Sequence, residues 1–169
     1  MKRFLHALAA IICLIGSPYV AMADDARIEA IRTRYAEVDA GLSKCKRIKR
    51  ELAGYSAEGG DLTAWLLGGS LRKMTALHLG ETGKASEDYY FWDNQLFFVL
   101  RVESRYTAPL SGKVKSTAED RFYFDDGKLI RWIDSSKKQN DPGSTNAQKR
   151  GSEILEQAKD FATFAKGGK

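Results

Sequence analysis

The chain contains little cysteine, proline or histidine. Its 169 residues include two cysteines, three prolines and two histidines. Two cysteines cannot build the disulfide framework of a small secreted scaffold, and few prolines with 43% hydrophobic residues exclude a collagen-like or disordered chain. Of the histidines and cysteines, only His78 and Cys45 lie beyond the first 23 residues, and one histidine with one cysteine cannot form a zinc site without carboxylates. The composition instead predicts one globular domain.

No long apolar run occurs except at the N-terminus. There Lys2 and Arg3 precede an apolar stretch over residues 4–15, and small side chains follow as far as Ala23. This order predicts a secretory signal peptide over residues 1–23, cut after Ala23. The stretch is shorter than the roughly 20 residues of a spanning helix, so we expect no transmembrane segment after cleavage and a periplasmic or secreted bacterial protein. A retained membrane anchor is the alternative.

The excess of positive charge is also small. The formal net charge of +5 falls by two with the loss of Lys2 and Arg3, and such a mild excess does not predict nucleic acid binding. The densest group of cations lies over residues 44–50, where five of the seven residues are lysine or arginine. We expect this group on the solvated side of a helix.

Apolar residues recur at steps of three and four after the signal segment. They are Ile28, Ile31, Tyr35, Val38, Leu42, Cys45, Ile48 and Leu52. This spacing predicts one long amphipathic helix over residues 24–53, ended by Gly54. Because Cys45 belongs to this stripe, we expect its thiol to be buried and unpaired. An intermolecular disulfide is the alternative.

Beyond residue 60 the apolar pattern alternates, which is typical of strands. Three pairs of residues that tolerate positive φ interrupt it, namely Gly68-Gly69, Asp93-Asn94 and Asp126-Gly127. Flanking aromatic and aliphatic residues make each pair a hairpin signal with a two-residue turn. We expect a three-residue loop ending in a left-handed Gly83 between the first two hairpins. The pattern predicts six sequential antiparallel strands within residues 61–134, with a mobile, exposed loop over residues 107–118.

The hairpins over residues 89–96 and 122–129 carry the resemblance of this chain to known proteins. Their sequences are Tyr-Tyr-Phe-Trp-Asp-Asn-Gln-Leu and Phe-Tyr-Phe-Asp-Asp-Gly-Lys-Leu. The chain resembles uncharacterised exported bacterial proteins with Tyr-Tyr-Phe-Asp-Asn-Gly-Lys-Leu hairpins, and more distantly proteins with MORN-like hairpin repeats. The resemblance covers residues 61–134, and the first copy departs from it because Gly68-Gly69 contains no acidic residue. It implies a curved antiparallel meander used as a scaffold and carries over no functional residue.

A second helical pattern lies near the C-terminal end of the sequence. Apolar residues between Ala147 and Ala165 have helical spacing, so we predict a helix over residues 145–166. The predicted fold class is therefore α+β, with a long N-terminal helix, a six-stranded antiparallel meander of β-hairpins and a C-terminal helix. We expect one globular domain over residues 24–169, with both helices on one side of the sheet.

The strand residues divide into two faces if every hairpin preserves the alternation of side chains. One face is almost purely apolar, and we expect it to lie under the helices. The other, called here the mixed face, combines aromatic rings with arginines and acids. The mixed face consists of Trp65, Arg72, Met74, His78, Asp88, Tyr90, Phe97, Arg101, Glu103, Glu119, Arg121, Tyr123 and Trp132.

The mixed face leads to the predicted function. Trp, Tyr and Arg dominate interface hot spots, so we expect partner contacts at Trp65, Arg72, Tyr90, Arg101, Arg121, Tyr123 and Trp132. No complete catalytic or metal-binding set is found, and no cofactor is expected. We therefore predict a non-enzymatic envelope protein that binds a protein or a glycan. The alternatives are a hydrolase that uses Asp88, Glu103 or Glu119, an assembly protein, and a rolled sheet stabilised by these pairs.

Overall fold

The computed structural model describes residues 18–167 apart from residues 53, 55 and 57, with residues 18–24 described by their backbone alone. Residues 1–17 of the predicted signal peptide lie outside the described residues. The described elements, in chain order, are α1 (Pro18–Gly41), a 3-10 turn (Leu42–Lys44), β1 (Lys46–Glu51), β2 (Gly60–Leu67), β3 (Ser70–Gly80), β4 (Gly83–Trp92), β5 (Gln95–Tyr106), β6 (Val114–Asp125), β7 (Lys128–Ile133), β8 (Gln139–Asn140) and α2 (Thr145–Ala165).

The strands form one antiparallel sheet in sequential order from β1 to β8. The α+β class is therefore confirmed, but the described sheet has eight strands instead of six. It begins at Lys46 and ends at Asn140, beyond the predicted limits of 61 and 134 on both sides. The additional strands are β1 at one edge and the two-residue β8 at the other.

The prediction of one helix over residues 24–53 is wrong at its C-terminal end. Helix α1 ends at Gly41, and residues 46–51 form β1, in which Ile48 lies opposite Ala64 of β2. Pairing with β2 overrides the local helical spacing, as tertiary contacts often do. Cys45 consequently lies in the connection between α1 and β1, where it is free but partly exposed rather than buried.

The three predicted hairpin turns are confirmed. Both central residues of each turn have positive φ, between 46° and 86°. Positive φ at both positions defines the turn whose twist matches that of antiparallel strands. Glycine, asparagine and aspartate adopt this conformation at the lowest cost, which is why they occupy these six positions.

Each of these hairpins also contains a β-bulge that the alternating pattern does not predict. In the first, Leu66 pairs with Leu71 and Trp65 pairs with Lys73, so that Arg72 is the additional residue. Phe97 and Ile130 are the additional residues in the other two hairpins. A bulge places two successive side chains on the same side of the sheet and shifts the alternation beyond it.

The shifted alternation gives the sheet two apolar faces, each covered by one helix. On one face, Tyr90, Phe98 and Tyr123 pack with α1 residues such as Ile31. On the other, Tyr89, Phe91, Phe122 and Phe124 pack with α2 residues such as Phe161. The expectation that both helices cover one side is therefore wrong. These faces are called the α1 face and the α2 face below.

Each bulge comprises two successive residues on the same side of the sheet. Helix α1 contacts the second of these two residues in each bulge as it crosses the sheet. Arg131 on β7 contacts Asp25 at 3.1 Å, and Lys73 on β3 lies 3.5 Å from Asp39. Between them, the rings of Phe98 and Tyr35 have centroids 5.4 Å apart. Four strand spacings amount to about 19 Å and fourteen helical residues to about 21 Å, so the three contacts are mutually consistent.

Two loop predictions are corrected. Gly80 pairs with Gly83, so the loop between β3 and β4 has two residues, and Gly83 lies within β4 without a positive φ. The glycine is required there because a Cβ atom would lie 2.2 Å from the carbonyl oxygen of Ser104. The exposed loop after β5 comprises residues 107–113 instead of 107–118, because β6 already begins at Val114.

Helix α2 agrees with the predicted C-terminal helix to within one residue. The Ser144 hydroxyl accepts a hydrogen bond from the Ala147 amide at 3.3 Å and so caps its N-terminus. Its buried stripe includes Ile154 and Phe161. Among the helices that the structure describes, none is long and apolar enough to cross a membrane.

Replacing Gly151 by alanine tests the packing of α2 on β7. A Cβ atom at Gly151 would lie 2.9 Å from the Cβ atom of Leu129. Although alanine favours a helix by about 1 kcal/mol, we expect this overlap to give a net destabilisation of about 1–2 kcal/mol in urea unfolding. Gly41→Ala is the control, since no atom beyond its chain neighbours and the local helix backbone lies within 4 Å of that added group. Equal stability of both variants would contradict the close contact.

Candidate functional site

The seven predicted contact residues lie on both faces of the sheet, not on one. Five lie on the α1 face: Trp65, Arg72, Tyr90, Arg121 and Tyr123. The other two, Arg101 and Trp132, lie on the α2 face. The bulges at Phe97 and Ile130 account for the difference, because they reverse the alternation in β5 and β7.

Three of these seven residues mainly stabilise the fold. Tyr90 and Tyr123 are 1% and 4% exposed beneath α1. Trp132 stacks on Phe122 with ring centroids 5.5 Å apart, and its indole N–H donates to Asp120 at 3.1 Å. These three side chains thus stabilise the sheet, as the rolled-sheet alternative expects. The helices cover them, however, and the sheet does not roll over them.

An open pocket lies between α1 and the outer part of the α1 face, and we call it the α1 pocket. It has a volume of about 380 Å³. Helix α1 supplies one wall, and β5 and β6 supply the floor and the opposite wall. Its lining residues are Ile31, Arg32, Tyr35, Phe98, Leu100, Glu119, Arg121 and Tyr123.

The floor of the α1 pocket is aromatic. Phe98 and Tyr123 have ring centroids 5.0 Å apart, and the edge of Tyr35 meets Phe98 at a centroid distance of 5.4 Å. Phe98 is 7% exposed, whereas Tyr35 is partly exposed along the opening. Interlocked rings of this kind hold one another in place, so the floor is a rigid apolar surface.

Exposed charges of both signs surround this floor. Arg121 pairs with Glu119, and their side chains are 50% and 42% exposed. Arg32 pairs with Glu29 on α1, and its hydrogen bond to that carboxylate, against a smaller effect of burial, raises the pKa of Arg32. Exposed ion pairs contribute little to stability and can exchange partners at low cost. The rim can therefore bind a charged group without disturbing the fold.

A second polar cluster lies on the α2 face beside Phe161. Glu87 is buried, and its Oε2 atom accepts a hydrogen bond of 2.8 Å from the Tyr89 hydroxyl. The His78 Nε2 and Arg101 Nε atoms each lie 3.7 Å from the Glu87 carboxylate. Burial opposes ionisation, but His78, the Tyr89 hydroxyl and the charge of Arg101 outweigh it and hold the pKa of Glu87 below its ordinary value.

The carboxylates of the hydrolase alternative are separated by the sheet. Glu103 lies on the α2 face, where Arg101 pairs with it, while Asp88 and Glu119 lie on the α1 face. Asp88 also lies 3.1 Å from the Lys73 ammonium. Cleavage of a glycosidic bond needs two carboxyl groups on either side of that bond, and Glu103 cannot supply one to a substrate held by the other two.

Sequence reasoning missed the contribution of α1 to the pocket. The sequence pattern predicts that the helix containing Arg32 and Tyr35 covers the apolar face, away from Arg121 and Tyr123 of the mixed face. The signal that could have revealed the arrangement is the run from Leu96 to Leu100, five successive apolar residues where a strand with one solvated face would alternate. Such a run is expected where a strand is covered on both faces.

Comparison with known protein families, with curated proteins and with solved structures found no match. Within the described part of the chain, no three His, Cys, Asp or Glu side chains are placed to share a metal ion. The α1 pocket and the charged surfaces of the sheet are therefore the features from which a function can be inferred.

Replacing Glu87 by glutamine tests the polar cluster. We expect Glu87→Gln to lower the free energy of unfolding at pH 7 by about 2 kcal/mol, because it removes a charged hydrogen-bond acceptor from a buried position. The pKa of Glu87 is lowered from 4.5 in the folded protein, so its contribution is present above pH 4.5 and is lost as the pH falls through the folded value. The difference in free energy of unfolding between the parent protein and the Glu87→Gln variant should therefore narrow as the pH falls below 4.5.

The control for this experiment is Glu103→Gln, which removes the other acid beside Arg101. Its side chain is 48% exposed, so we expect a change within about 0.5 kcal/mol. A Glu87→Gln protein as stable as the parent at pH 7, or a gap that widens below pH 4.5, would contradict the role assigned to Glu87.

Proposed function

We propose that this protein is an exported, non-enzymatic binding protein whose α1 pocket receives a partner in the bacterial envelope. The observation that carries the proposal is the rigid aromatic floor of the pocket beside the exposed Arg121 and Glu119. Export is the expectation from the N-terminal residues. Of the residues expected from the sequence to contact a partner, Arg121 and Tyr123 line this pocket.

The composition of the pocket resembles that of protein interfaces. Their centres are apolar and aromatic, their rims are polar and hydrated, and arginine is enriched in them. Tyr35 and Leu100 give the centre of the pocket an apolar character, and Arg32 and Arg121 lie around it. An apolar side chain inserted between α1 and β5 would displace water from the floor while its neighbours met the charged rim.

The geometry favours a protein partner over a glycan. Sugar rings stack on open aromatic faces, but Phe98 and Tyr123 are only 7% and 4% exposed. A volume of about 380 Å³ is near the lower end for small-molecule sites. It is sufficient for one or two inserted side chains, which a protein surface can supply together with flanking charges.

The enzyme alternative has less support. Asp88 accepts a hydrogen bond of 2.6 Å from the Thr75 hydroxyl and pairs with Lys73. The carboxylate of Glu119 pairs with Arg121 at the rim of the pocket. Both acids thus already form ion pairs with neighbouring cations on the sheet.

The proposal is tested by blocking the pocket and removing one rim charge. The double variant Leu100→Trp with Arg121→Ala should lose the partner captured by the parent protein from envelope extract. Once the partner is identified, loss of a hot-spot contact should cost about 2 kcal/mol of binding free energy or more by calorimetry. Arg105→Ala, an exposed arginine on the same strand as Leu100, is the matched control and should retain the partner.

Thermal unfolding must show that the double variant remains folded. Retention of every partner by a folded double variant would place the binding surface elsewhere. Direct binding of an envelope glycan to the pocket would identify a sugar, and not a protein, as the partner. Turnover of peptidoglycan that is abolished by Glu119→Gln in a folded protein would establish the hydrolase alternative instead.

A further inference from the structure

Strand β1 forms an edge of the sheet that is available for pairing. In the sequential order of strands it stands at the end, and within the described residues it pairs with β2 alone. Five of its six residues are exposed, the exception being the partly buried Ile48. An edge of this kind presents a row of N–H and C=O groups without strand partners.

The edge is strongly cationic. The exposed Lys44 precedes the strand, and β1 itself contains Lys46, Arg47, Lys49 and Arg50. Within the described residues one member of this group has an ion pair, Lys49 with Asp61 at 3.0 Å. The helix predicted from the sequence would have placed these cations on a solvated helical surface. In the strand they accompany an unpaired backbone instead.

The cations alternate between the two faces of the sheet. Lys46 and Arg50 lie opposite Leu66 and Leu62, on the α2 face. Arg47 and Lys49 lie opposite Trp65 and Thr63, and therefore point to the α1 face. A membrane or a nucleic acid duplex would be met best by cations gathered on one surface. Cations on both sides of one backbone instead match a narrow, extended ligand that runs along the edge.

We propose that β1 binds an acidic segment of a partner protein as an added antiparallel or parallel strand. Main-chain hydrogen bonds along the edge would supply affinity, as in other cases of strand addition. Asp or Glu at successive positions of the segment would reach the cations on both faces. A second copy of this chain does not fit, because pairing β1 with β1 would place like charges opposite one another.

The proposal is tested with a labelled acidic peptide of about eight residues in which pairs of Glu are separated by single Val or Thr residues. Glu side chains then point to both faces of the added strand, and Val and Thr favour the extended state. Fluorescence anisotropy at low salt should show binding that weakens as salt is added. The triple variant Lys46→Gln, Arg47→Gln and Arg50→Gln should lose about tenfold in affinity or more. It leaves Lys49 and its ion pair in place.

The matched control removes three exposed lysines elsewhere, Lys113, Lys115 and Lys128, and should change the affinity by less than about twofold. A second peptide with the same side chains, N-methylated at two adjacent central residues, keeps the charges but loses a donor on each of its edges. It should bind more weakly than the first. The circular dichroism spectrum of each variant verifies folding.

Several results would overturn the proposal. Equal binding of the methylated peptide would show that charge alone attracts the ligand. Equal losses in the β1 variant and the control would show that net charge, not the edge, is responsible. Binding of phosphatidylglycerol vesicles but not of the peptide would identify a membrane surface instead, and absence of peptide binding would refute strand addition. None of these results depends on the α1 pocket.

Discussion

The β-bulge that follows each of the three hairpin turns with positive φ is the constraint on which the rest of the structure depends. Each bulge directs two successive side chains to the α1 face. The second member of each pair, Lys73, Phe98 or Arg131, contacts α1. The repeated hairpin thus builds a row of three contacts across the sheet, and this row fixes the path of the helix.

The same bulges explain why the sheet needs a helix on each face. Beyond each bulge the alternation is reversed, so Met74, Val99 and Trp132 pack in the α2 core, while Phe97, Phe98 and Ile130 pack in the α1 core. Neither face could remain exposed, because burial of each large apolar side chain contributes about 1.5–3 kcal/mol. The α1 pocket is the part of the α1 face that the helix leaves open, between Tyr35 and Arg121.

The sequence predicts elements whose signals are local. The three turns follow from residues that adopt positive φ, and α2 follows from a stripe that agrees with its burial. The bulges could not be predicted in the same way, because inserting one residue into a ladder depends on the partner strand. Without the bulges, the alternating pattern places Arg101 and Trp132 on the wrong face and leaves Tyr35 out of the site.

The edge strand shows a different reason for failure. Cys45, Ile48 and Leu52 have helical spacing, but Ile48 alone is the apolar residue inside β1. A single apolar residue does not distinguish a strand from a helix, and the pairing of β1 with β2 is decided by contacts distant in sequence. The exposed backbone and the cations of this edge therefore emerge from the structure alone.

The contact between α1 and the bulged strand β5 can be measured directly by nuclear Overhauser spectroscopy. The account predicts cross-peaks between the rings of Tyr35 and Phe98, and between those of Phe161 and Tyr89, whose centroids are 5.4 Å and 5.9 Å apart. Both sets together require a helix on each face. Cross-peaks from Phe161 to Tyr89 without any from Tyr35 to Phe98, in a folded protein, would contradict the arrangement of α1 and with it the pocket.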